Sequence, residues 1–193
     1  MFAIVIIAVV VVIVAAGLYV GLSRRGGGHG LKQRFGPEYD RTVTRHDGDT
    51  KAADEELHER VKQHGALERQ PISAESRATY QAQWADIQEQ FVESPQKAVA
   101  EADALLARLA KERGFPDGEQ FGTHLDALSV HHADQVEGYR MLHTAVRGQS
   151  GTEEMREAMV EAKGLFGALL FDDDGNDEPA DPGRRHAKES GTR

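Results

Sequence analysis

The chain contains no cysteine in its 193 residues. That excludes a disulfide framework, a thiolate metal site and a cysteine nucleophile. Aromatic residues are sparse at 6%, with a single tryptophan, so the few large side chains available to a core carry unusual weight. Positive charge is in deficit: the net charge is −9, and a basic footprint for nucleic acid is missing. No G-x-S-x-G and no H-E-x-x-H occurs, and Gly26-Gly27-Gly28 lacks both the following Lys-Ser/Thr and the preceding strand of a P-loop. Strand-period alternation and convincing internal repeats are also absent, which leaves the helix as the regular element.

Charge is missing altogether from Phe2 to Leu22 (FAIVIIAVVVVIVAAGLYVGL). At about 1.5 Å per residue this run, as a helix, crosses a hydrocarbon core about 30 Å thick. A cleavable signal peptide has a basic n-region and a shorter apolar run, and its small-residue cleavage site follows that run. Here no basic residue precedes the run, and Ala15-Ala16-Gly17 lies inside it. Residues 1–22 are therefore expected to be an uncleaved transmembrane anchor; export with loss of this segment is the alternative. Arg24, Arg25, Lys32 and Arg34 follow on the C-terminal side, so the positive-inside rule places the rest of the chain in the cytoplasm and the N-terminus outside. Gly17 and Gly21 form a G-x-x-x-G pair through which two spans could associate weakly.

Residues 23–30 (SRRGGGHG) read as a flexible glycine-rich linker and 31–171 as a helical domain. Pro37 opens a short helix with Tyr39 and Val43 on one face. Thr50 to His64 carries a stripe of Ala53, Leu57 and Val61, with Glu56 and Arg60 paired on the exposed side. Ser73 is the expected N-cap of a third helix whose Tyr80, Trp84, Ile87 and Phe91 mark the centre of the core. Ser94-Pro95 caps and opens a fourth, with Val99, Ala102, Leu106 and Leu109 buried. Phe121, Leu125 and Leu128 lie in a less regular stretch. Val130 to Arg147 reads as one helix burying Ala133, Val136, Tyr139, Leu142 and Val146. Thr152 caps a last helix lined by Met155, Met159, Ala162, Phe166 and Leu169. Residues 172–193 contain no large apolar side chain and read as a disordered acidic and polar tail. The expected fold is all-α, an irregular bundle of five to seven helices.

Chemistry-bearing patterns are few. His124, His131, His132 and His143 cluster in sequence, but none of these spacings presents two imidazoles one turn apart, so they read as polar or partly buried side chains rather than ligands. Glu55, Glu56 and Glu59, and Glu153, Glu154 and Glu157, read as solvated helix faces. The Asp172–Asp177 run lacks the spacing and flanking helices of a calcium loop. No catalytic, metal or cofactor residue is assigned.

The segment Leu31 to Gly65 resembles a stretch found in uncharacterised bacterial, mainly actinobacterial, proteins, through Phe35-Gly36-Pro37-Glu38-Tyr39-Asp40-Arg41 and the helix after it. The resemblance extends more loosely to about Leu170. It implies a single-pass membrane or exported protein with a helical C-terminal domain, and no activity. As a function, FGPEYDR would be a docking surface near the membrane, with Tyr39 as aromatic anchor and Arg34, Phe35, Glu38, Asp40 and Arg41 around it. As structure, Phe35 and Tyr39 would pack the first helix onto the bundle, with Arg34 and Glu38 paired at i,i+4. The sequence as a whole points to a non-enzymatic tether, adaptor or scaffold at the cytoplasmic membrane with a protein partner. A ligand- or metal-binding helical domain is the second reading.

Overall fold

The computed structural model describes residues 30–117, 120–148 and 150–171. The expected anchor with Gly17 and Gly21, the basic pair Arg24 and Arg25, linker residues 23–29 and the tail from residue 172 lie outside the described residues. Among those described, no helix is long and apolar enough to cross a membrane.

The described residues are all-α, with no strand among them. A helical turn over residues 30–35 leads into α1 (Pro37–Arg45), followed by α2 (Thr50–His64), α3 (Ala74–Gln90), α4 (Pro95–Glu112), α5 (Phe121–His131), α6 (Val136–Arg147) and α7 (Thr152–Phe171). Local chemistry explains the starts. Asp49 accepts from the Lys51 and Ala52 backbone N–H groups at the head of α2, and Ser73 Oγ accepts from Ser76 N (3.0 Å) at the head of α3. The variant S73A is expected to lose about 1 kcal/mol of stability, read as a lower urea midpoint at unchanged slope. Two expected caps are not used. Ser94 makes no capping bond, and Pro95 alone sets the entry of α4. Thr152 is the first helical residue of α7, and the cap falls one residue earlier, where the Gly151 N–H donates to Glu154 Oε2 (3.2 Å).

Two apolar clusters hold the helices. The larger centres on α4 and α7, where α4 buries Val99, Ala102, Leu105, Leu106 and Leu109, and α7 buries Leu165, Phe166, Leu169 and Leu170 among others. The expected centre on α3 is displaced: only Trp84 and Ile87 of that helix are buried, because α3 packs along one side of α4. Trp84 reaches the core by stacking on Phe166, 4.5 Å between ring centres. The smaller cluster joins Leu31, Phe35 and Tyr39 to Leu57 of α2 and Val130 of α5.

The stretch containing Phe121 is regular helix, and the single helix expected over Val130 to Arg147 is two. The chain turns at His132 to Gln135, where the Gln135 and Val136 N–H groups both bond back to the His132 carbonyl (3.1 and 3.0 Å). No glycine or proline marks this turn, so the apolar period runs straight through it in the sequence. As a consequence Val146 is exposed (38%), and Ala133 packs on the smaller cluster instead of the main core.

Candidate functional site

The FGPEYDR segment is assembled from its backbone outward. Gly36 has φ +47°, the left-handed region that favours glycine, and a Cβ there would lie 2.9 Å from Asp134 Oδ1. This residue lets the chain leave the 30–35 turn and enter α1 at Pro37. The turn sends Phe35 (0% exposed) and Tyr39 into the smaller cluster and points Glu38 inward as well. Arg34, Asp40 and Arg41 stay exposed. Phe35, Glu38 and Tyr39 are thus buried within this chain, and the side chains left for a partner are the polar ones.

The expected Arg34–Glu38 pair does not form. Arg34 Nη2 instead lies 3.5 Å from the Val130 carbonyl, and Lys32 pairs with Asp40 (3.1 Å). Glu38 is the acceptor at the centre of a buried ionic cluster. Its Oε1 accepts from Arg60 Nη1 of α2 (3.0 Å) and from Arg140 Nη2 of α6 (3.0 Å), and its Oε2 accepts from Arg140 Nη1 (3.1 Å). Arg60 also pairs with Asp126 of α5 (2.9 Å), donates to Ser129 Oγ (3.2 Å) and bonds Glu56. Arg140 bonds Glu137, which also receives Arg41 (3.0 Å). Burial alone would push the Glu56 carboxyl up, but His46, Arg60 and Arg45 together hold it below its ordinary value. Burial pushes the Asp126 carboxyl up, against the opposing pull of Arg60. The Glu56–Arg60 pair expected on the exposed side of α2 therefore exists, but with Arg60 in the interior. Arg60 falls three residues after Leu57, on the apolar stripe, and that spacing is the signal that could have placed it. Arg140 follows buried Tyr139 with no comparable signal.

A second polar cluster lies where α4, α5 and α6 meet. His143 Nδ1 is 3.0 Å from Asp103 Oδ1, and its ring stacks on Phe121. His124 is fully buried, with Nδ1 2.7 Å from the Pro116 carbonyl, and its ring meets Tyr139 edge-on. Nε2 of both histidines is buried without a hydrogen-bond partner among the described residues. Burial pushes the Tyr139 phenol up, and Asp103 adds to the effect. His131 and His132 lie apart from this pair, both with their rings against Phe115, and His131 Nε2 is 2.9 Å from the His64 carbonyl. The four histidines thus divide into two pairs, and His124 and His132 are more deeply buried than their polar surroundings in the sequence imply. Among the described residues, no group of three or more histidine, aspartate or glutamate side chains is placed to hold a metal ion.

Among the described residues, the surface carries a groove with an apolar floor. It lies between the end of α3 and the middle of α7, encloses about 280 Å³, and is lined by Gln88, Phe91, Arg156, Met159, Val160 and Lys163. Val160 is 57% exposed, and Val92, beyond the end of α3, is 85% exposed. No family model, curated protein or solved structure matches the chain.

Proposed function

We propose that this chain is a membrane-anchored helical interaction module, a tether or adaptor whose bundle faces the cytoplasm and binds a protein partner. The observation that carries this reading is the α3–α7 groove, where Val160 stays exposed beside Phe91 and Met159 and between Arg156 and Lys163. The charge-free run of residues 2–22, followed by Arg24, Arg25, Lys32 and Arg34, supports the anchor and its orientation. The buried Glu38 cluster supports a mechanical role, since it ties the first helix after the anchor to α2 and α6 by charge-assisted bonds.

Two measurements on the full chain test this. With a cysteine introduced as S190C, a membrane-impermeant maleimide is expected to label only after lysis; labelling of intact spheroplasts overturns the orientation. A photo-crosslinking residue placed at Val160 in cells is expected to give a discrete product that is absent when the residue is placed at exposed Glu75. Identical patterns at the two positions would remove the groove as a binding surface.

A further inference from the structure

His124 is the fourth residue of α5 and is held from two directions. The 115–117 segment supplies the Pro116 carbonyl, so Nδ1 carries the ring proton and donates it (2.7 Å). Helix α6 supplies Tyr139, whose ring packs edge-on at 5.7 Å between centres. Nε2 remains a lone pair sealed from water, with no donor against it among the described residues. Among the described residues, the charged and titratable groups around it are Asp103 from α4, Asp117 from the preceding segment, and Tyr139 and His143 from α6, the last itself bonded to Asp103. A proton added at Nε2 would find no acceptor among the described residues, and the positive end of the α5 dipole also disfavours a cation near the first turn.

We propose that His124 is an acid-sensitive latch: neutral, it seals the start of α5 against α6 and the 115–117 segment, and protonated, it releases that junction. The direction of the proton linkage agrees. Burial pushes the His124 pKa below the ordinary 6.5, outweighing the Pro116 carbonyl, Asp117 and Asp103, and the charge of His143 acts with burial. A histidine with a depressed folded pKa takes its proton first in the opened state. Above the ordinary value neither state is protonated and the latch is intact. As pH falls through 6.5 the opened state gains, by up to about tenfold at pH 5.5, and the gain levels off below the folded pKa. The region affected is local, because α3 has no part in the junction.

Amide hydrogen exchange of the full chain in lipid nanodiscs, corrected for intrinsic rates, tests the latch at pH 7.5 and 5.5. Protection over 121–131 and 136–147 is expected to fall by up to about tenfold at the lower pH, with α3 unchanged. The variant H124N keeps an amide donor for the Pro116 carbonyl and cannot take the second proton, so the loss is expected to disappear. An equal loss in H124N would assign the effect to another group such as His143, and a uniform loss that includes α3 would assign it to general acid destabilisation; either overturns the proposal. If H124N does not fold, the wild-type His124 ring resonances decide: a titration midpoint below 6.5 supports the latch, and one at or above 6.5 overturns it.

Discussion

Replacing Gly138 with alanine is expected to destabilise the fold by about 3 kcal/mol. Gly138 sits in α6 where that helix crosses α7, the most extensive helix pair among the described residues. A Cβ at this position would lie 2.3 Å from the Glu161 carbonyl carbon, 2.4 Å from its oxygen and 2.7 Å from Ala162 N. These are backbone atoms of a 20-residue helix and cannot rotate aside. The helices must separate instead, loosening Tyr139 and Leu142 of α6 from Ala162 and Leu165 of α7, all in the main core. An opposing effect exists: alanine is better than glycine inside a helix by about 1 kcal/mol. The backbone overlap is larger and wins. Urea unfolding read by circular dichroism checks this, and for a chain of this size the thermal midpoint should fall by roughly 6–12 °C. Gly167 of α7 is the control. A Cβ there meets nothing within 4 Å, so G167A is expected to be neutral or to add up to about 1 kcal/mol. Equal stability of G138A and wild type would mean that α6 and α7 lie further apart than described.

The second large effect is expected at Glu38. Its side chain is 1% exposed, and those of its partners Arg60 and Arg140 are 5% and 14% exposed. Truncation to alanine leaves both guanidinium groups buried with one fewer carboxylate, which typically costs about 3–5 kcal/mol. Arg60 keeps Glu56 and Asp126, and Arg140 keeps Glu137, so the lower end of that range is expected. The pair itself is a different quantity from the penalty of breaking it. Methionine at both Glu38 and Arg140 removes the carboxylate together with one of its two guanidinium partners, leaving Arg60 with Glu56 and Asp126, and is expected to recover part of the loss. A double-mutant cycle in urea separates the two contributions. A loss below about 1 kcal/mol for E38A would show that the cluster behaves like a surface ion pair and does not lock α1 to the bundle.

The same residue shows how far the sequence could be read. Glu38 lies in FGPEYDR, and its helical position was legible from Pro37 and from the four-residue spacing of Tyr39 and Val43. The basic residue one turn before it is Arg34, so an i,i+4 surface pair is the local expectation. The structure overrides it, because Arg60 lies 22 positions away and Arg140 lies 102 positions away. Local spacing carries no information about such partners. The histidines follow the same rule. His124 and His143 share no helix face in the sequence, yet Phe121 and Tyr139 bring them into one cluster.

What the sequence by itself determined is helical content and much of its punctuation. Ser73 caps where expected, Pro37 and Pro95 open helices, and the Val99–Leu109 and Met155–Leu169 stripes face inward. These features depend on a few neighbouring residues, so local chemistry is enough to place them. Only the tertiary structure decided the turn at His132–Gln135, the move of the core centre from α3 to α4 and α7, the convergence of Arg60 and Arg140 on Glu38, and the requirement for glycine at position 138. Each of these depends on which backbone crosses which, and a one-dimensional period cannot register a helix arriving from elsewhere in the chain.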